Sequence, residues 1–220
     1  MIRNARRHTE RGSVLLCALM VITLIATLGA ALSLIVSTES IVAGTYQSSQ
    51  QGLYAADAGI ERAIAEVRAL STWSSLPSSA SSFSDFNDGQ LIPRGPNGLA
   101  LNLAQLTTER QAESDAVYPN VADRPIWRLY AHATLNRMTG RTESGTPYVV
   151  VWIADDSDDL DADPSVDTND VVMLHAEAFA VRSGKRAVSA TIRREHAMAA
   201  GFPGLMRSDV HLIAWHEVKH

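Results

Sequence analysis

The sequence predicts an α+β fold in which one long N-terminal helix, a membrane half followed by an amphipathic half, packs on an antiparallel β-sheet. Three observations lead there. Residues 13–36 carry no charged side chain, residues 37–70 space apolar side chains at helical intervals, and four short runs between residues 126 and 195 are rich in β-branched and aromatic residues. The 220 residues, 46% of them hydrophobic, suffice for one medium domain plus a membrane segment.

The uncharged run "SVLLCALMVITLIATLGAALSLIV" (13–36) makes a helix of about 36 Å at about 1.5 Å per residue, enough to cross a hydrocarbon core of about 30 Å. Arg3, Arg6, Arg7 and Arg11 precede it, and no lysine or arginine follows until Arg62. The positive-inside rule then puts the N-terminus in the cytoplasm and the bulk of the chain outside. A secretory signal has a shorter apolar core of about 7–15 residues, although Ala26 to Ser33 imitates a small-residue cleavage site. Cys17 follows Leu15 and Leu16 rather than a small residue, which excludes a lipoprotein signal. As the single cysteine it permits no disulfide within the chain, and it reads as a small apolar element of a helix surface.

Residues 37–70 contain no proline, and Leu53, Ala56, Ile60, Ala63, Val67 and Leu70 recur at alternating steps of three and four. Asp57, Glu61, Arg62, Glu66 and Arg68 take the remaining surface, with Arg62 and Glu66 one turn apart. Joined, residues 13–70 form one helix of about 87 Å. Gly29, Gly44, Gly52 and Gly59 each cost about 1 kcal/mol relative to alanine, so a bend or local melting is expected.

A basic leader ending "ERG" at Gly12, an uncharged helix and then "YAADAGIERAIAEV" (54–67) together resemble the N-terminus of type IV pilin-like proteins. The likeness is to minor pilins of the PilX class and to the K-type pseudopilin of type II secretion, and it covers residues 1 to about 70. It implies that a prepilin peptidase cuts between Gly12 and Ser13 at the cytoplasmic face of a bacterial inner membrane. The domain is then periplasmic, and the apolar helix stays attached, held first by lipid and later by other pilins in a filament core. Many pilins begin the mature chain with phenylalanine and have glutamate fifth; Ser13 and Cys17 stand there instead. The K-type pseudopilin also lacks the glutamate and sits at the filament tip, so the likeness favours a tip or priming subunit.

The implied organisation is a leader (1–12), a transmembrane or filament-core helix (13–36), an amphipathic half (37–70), a linker and loop region (71–125) and a sheet domain with an acidic loop and C-terminal tail (126–220). "STWSSLPSSASSFS" and "IPRGPNG" supply the loop character of the fourth part, with helical order returning weakly, if at all, around 99–111. "IWRLYAHATL", "PYVVVWIA", "DVVMLHAEAFAV" and "RAVSATIRRE" read as four strands, the last two joined by a hairpin at Ser183 and Gly184. Such a sheet buries one face on the apolar stripe of the helix, an arrangement the pilin likeness also implies.

The densest chemistry is "DDSDDLDADPSVDTND" (155–170), eight aspartates in sixteen positions. Counting Asp159 as position one puts Asp161, Asp163, Ser165, Asp167 and Asp170 at three, five, seven, nine and twelve, the spacing of a calcium loop of hard oxygen ligands. Pro164 replaces the glycine turn, Asp170 replaces the bidentate glutamate, and flanking strands exclude a true EF-hand; the bland alternative is a solvated acidic loop. "HEVKH" (216–220) matches H-E-x-x-H, the helical zinc pattern, but no third ligand follows it, and a docking tail is the simpler reading.

No nucleophile-elbow or phosphate-loop pattern occurs, and His132 and His175 read as strand histidines. Trp73, Trp127, Trp152 and Trp215 read as packing or interface residues. The net charge of -5, with basic residues at the N-terminus and acids at 155–170, gives no folded basic surface for nucleic acid. These readings point to a structural, non-enzymatic subunit whose partners are other pilins, the inner membrane and a prepilin peptidase. The rival is a single-pass inner-membrane protein with a periplasmic metal-binding or hydrolytic domain that does not polymerise.

Overall fold

The computed structural model describes residues 6–139, 145–159, 161–182, 184–198 and 206–218. Contacts divide the chain into two compact units, one reaching to Thr45 and one starting at Tyr46. Helix α1 (Arg6–Arg68) supplies all the described structure of the first. It is long and apolar enough to cross a membrane, and no residue of its most apolar stretch is buried. It runs without interruption through Gly29, Gly44, Gly52 and Gly59, so the melting expected at these glycines does not occur.

The second unit is the C-terminal part of α1 packed on a five-stranded antiparallel sheet. Strands β1 (Arg128–Thr134), β2 (Tyr148–Asp155), β3 (Val171–Ala180), β4 (Gly184–Met198) and β5 (Met206–Val218) lie side by side in chain order. The stripe read from the sequence is the face that meets them: Ala56, Ile60, Ala63 and Val67 are buried in one core with Val149, Val151, Ile153, Leu174, Val188 and Ile192. Gly59 lets the helix come this close, because a Cβ there would lie 2.7 Å from Val149 Cγ1. The first buried side chains of α1 are Ser48 and Ser49, so packing begins about three turns later than the composition change at residue 37 suggests.

The helix ends by tightening: Ala69 N–H and Leu70 N–H donate to the Glu66 and Val67 carbonyls three residues back, and Trp73 Nε1 donates to the same Val67 oxygen at 3.1 Å. Trp73 is fully buried, with the Arg194 guanidinium 5.1 Å from its ring centre.

Strands β1 to β4 occupy the four expected runs, and β3 and β4 form the expected hairpin, closing at the Ala180–Gly184 pair with Gly184 at φ +70°. Ser183 lies outside the described residues. Two elements depart from expectation. Residues 71–125 are not all loop: helix α2 (Leu103–Val117) follows a short 3₁₀ turn at Ala80–Ser82. Asn102 caps α2, its side chain accepting from Gln105 N–H. The C-terminal stretch is no docking tail but β5, paired with β4 from Ala187–Val218 to Met198–Met206, with Ile213 left unmatched as a bulge.

Helix α2 covers the sheet face opposite α1. Strand β2 is therefore buried along its whole length, its odd residues Val149, Val151 and Ile153 in the α1 core. Its even residues Tyr148, Val150, Trp152 and Ala154 lie in a second core with Leu103 and Trp127.

Candidate functional site

Alternation along β2 sends Asp155, the last strand residue, to the same face as Val149, Val151 and Ile153. It is fully buried, and the acidic loop that follows folds back over it. The facing carboxylate oxygens of Asp155, Asp159 and Asp167 lie within 4.8 Å of one another, and all three residues are buried.

Local bonds set this geometry. Thr168 donates its N–H (2.7 Å) and its hydroxyl to the two oxygens of Asp159. Asp167 Oδ1 accepts from Val171 N–H, while its own N–H donates to the Ser74 carbonyl at 3.2 Å, tying the loop to the segment just after α1. Asp155 Oδ1 accepts from Asp156 N–H. The other oxygens of Asp155 and Asp167 have no donor, and neither has either oxygen of Asp123, which is 4% exposed on the segment joining α2 to β1.

Buried like charges raise one another's affinity for protons. Burial, reinforced by Asp167, Asp159 and Asp123, pushes the Asp155 carboxyl up to about 8. Burial likewise pushes Asp167 up to about 6. Asp123 is raised by burial and then by Asp161, Asp159, Asp156 and Asp163.

Of the five residues proposed from spacing, the structure brings together Asp159 and Asp167. Asp161 and Asp163 are exposed and form turns, Asp161 Oδ1 accepting from Asp163 N–H and Asp163 Oδ1 from Ser165 N–H. Asp170, at φ +59°, points to Arg194, whose Nε donates to it at 3.0 Å, and to His196. Its charge is thus taken by a buried guanidinium. The linear calcium-loop register therefore does not describe the cluster. A pleated strand end and a loop stapled by Thr168 replace it, adding Asp155, with the buried Asp123 as a charged neighbour. Asp155 follows from the inward alternation only once the face of β2 is known, and Asp123, between Ala122 and Arg124, carried no sequence signal.

The oxygen donors suit a hard cation. Two oxygens bound to one calcium at about 2.3–2.6 Å lie no more than about 5 Å apart, a span the facing oxygens of Asp155, Asp159 and Asp167 meet.

The remaining candidates resolve simply. His216 and Glu217 lie on β5, where Glu217 meets Arg186 at 3.3 Å. The zinc pattern needs a helix, and His216 and Glu217 stand on a strand instead; His220 lies outside the described residues. His132 and His175 are buried with partners, His132 Nδ1 3.0 Å from the Tyr148 hydroxyl and His175 Nδ1 2.7 Å from the Ser189 hydroxyl. Burial lowers the pKa of both. Trp73 and Trp152 are core residues and Trp127 is nearly so, whereas Trp215 is half exposed and donates to Asp57 at 2.9 Å.

Gly12 and Ser13 are exposed within α1, and an added Cβ at Gly12 would meet no atom within 4 Å. Residues 1–5 of the expected leader lie outside the described residues. A scan of protein-family models, a search of curated proteins and a search of solved structures each found no match to this chain.

Proposed function

We propose that the chain is a structural, non-enzymatic minor pilin or pseudopilin, cut after Gly12 by a prepilin peptidase and assembled by helix packing at the tip or initiation complex of a type IV pilus or related secretion filament. One observation carries the reading. A single uninterrupted helix presents apolar side chains all round over its N-terminal part, Leu15, Leu19, Ile22, Ile25 and Leu32 among them, and buries only one face in the sheet domain over its C-terminal part.

Lipid satisfies an all-round apolar surface, and so do sister helices. A segment suited to both surroundings can anchor the precursor and then line a filament. The cleavage step fits the local chemistry: Gly12 is a weak helix former, which lowers the cost of opening the Gly12–Ser13 bond for a peptidase. Partner minor pilins meet the sheet domain, and the inner membrane holds the helix until extraction.

Co-expression with a prepilin peptidase, followed by N-terminal sequencing, tests the reading. The expected mature chain begins at Ser13. An intact leader overturns it and returns the chain to a single-pass membrane protein; cleavage near Ala31, the mark of a secretory signal, overturns it as well, because it detaches the apolar helix.

A further inference from the structure

We infer that Asp155, Asp159 and Asp167 form a calcium site, with the buried Asp123 of the α2–β1 segment near enough to add its charge, and that the site ties separate parts of the sheet domain together. The site stands on its own geometry, whether or not the chain enters a filament.

The acidic composition of residues 155–170 would not by itself define a site, because exposed carboxylates are readily solvated. The decisive feature is that three of the carboxylates are buried with oxygens that no donor reaches. Asp123, Asp155 and Asp167 are 4%, 0% and 3% exposed, and between them they hold four buried carboxylate oxygens that accept no hydrogen bond. No lysine, arginine or histidine pairs with any of these three among the described residues, although Arg194 and His196 do pair with the nearby Asp170. A buried carboxylate without a donor costs several kcal/mol, and folded chains place such groups together where a ligand supplies the missing charge.

The donors select the ion. All are carboxylate oxygens, with no imidazole or thiolate, so zinc, copper and iron are disfavoured. Magnesium demands near-octahedral geometry and keeps its waters, whereas calcium accepts irregular carboxylate cages of six to eight oxygens. Asp155 sits at a strand end, Asp159 and Asp167 on a loop, and Asp123 on a separate connection. Such scattered origins give an irregular set of directions.

The same scatter defines what the ion would do. Binding joins the end of β2 to the β2–β3 loop, its charge offsets that of Asp123 on the α2–β1 segment, and the Asp167 N–H bond to Ser74 extends the tie to the chain just after α1. Without the ion these segments are held only by the hydrogen bonds described above; with it they become one stiff end of the domain.

The experiment uses the full chain in detergent, stripped with chelator, and measures calcium binding by calorimetry and the unfolding midpoint with and without calcium. Calcium at about a hundred times its Kd is expected to raise Tm by about 5–10 °C. Asp155→Asn with Asp167→Asn is expected to abolish the rise, and Asp123→Asn to weaken binding about tenfold or more. Asp161→Asn with Asp163→Asn, both exposed, should leave affinity within about twofold. Asparagine preserves volume and removes repulsion, so these variants are expected to fold, and the calcium titration of the unaltered chain is informative without them. No binding heat and no Tm rise in the unaltered chain overturns the proposal. So does tighter binding of magnesium than calcium, or loss of binding in the Asp161/Asp163 pair while the Asp155/Asp167 pair retains it.

Discussion

Gly59 shows how one missing carbon sets the distance between two layers. A Cβ there would fall 2.7 Å from Val149 Cγ1 and 3.2 Å from Val151 Cγ2, both on a strand buried on two faces with little room to yield. Gly59→Ala should therefore lower domain stability by about 1–3 kcal/mol despite alanine's better helix propensity, as read by denaturant unfolding. Gly29→Ala, which meets no atom within 4 Å, should leave the same midpoint unchanged. Asp170 teaches a related lesson: it completes the calcium-loop spacing on paper, yet its side chain is held by Arg194 and His196 and not beside Asp159 and Asp167. Which carboxylate turns inward depends on strand pleat and on the cations of a neighbouring strand, and neither is visible in a run of aspartates.

Helix α2 was only faintly legible, as weak helical order around 99–111, and strand β5 was not legible at all, for opposite reasons. The face of α2 that meets the sheet is Leu103, Leu106, Thr107, Arg110, Gln111 and Ser114, spaced as a helix should be but mostly polar, so no apolar period announces it. Those polar groups find partners: Gln111 accepts from Trp127 N–H at 2.8 Å and donates to the Pro125 carbonyl at 3.0 Å, and Trp152 Nε1 donates to Thr107 Oγ1 at 2.8 Å. Thr107→Val keeps the shape but strands the indole N–H of a fully buried tryptophan, and should cost about 1–3 kcal/mol in thermal or denaturant unfolding. Strand β5 hides differently. It is an edge strand whose Leu212, Ile213 and Trp215 are exposed and whose alternation is broken by the bulge at Ile213, so only pairing with β4 makes it a strand.

The chain as a whole combines an N-terminal unit with an exposed apolar surface and a unit from Tyr46 onward with two cores of its own. Expressed alone, residues 46–220 should stay in the supernatant after high-speed centrifugation, whereas the full chain should pellet with membranes and require detergent. Recovery of the full chain as a detergent-free soluble species would contradict an anchoring role for the helix. The sequence by itself determined the long helix, its apolar length, its packing stripe and four of the five strands. These follow from periodicity along a single element, which local order encodes. Only the tertiary structure decided where α1 first touches the sheet, that a polar-faced helix closes the other side, and that Asp155 joins Asp159 and Asp167 with Asp123 as a charged neighbour. Each of these depends on residues far apart in the chain meeting across layers, where burial and missing partners, rather than spacing, determine which side chains face one another.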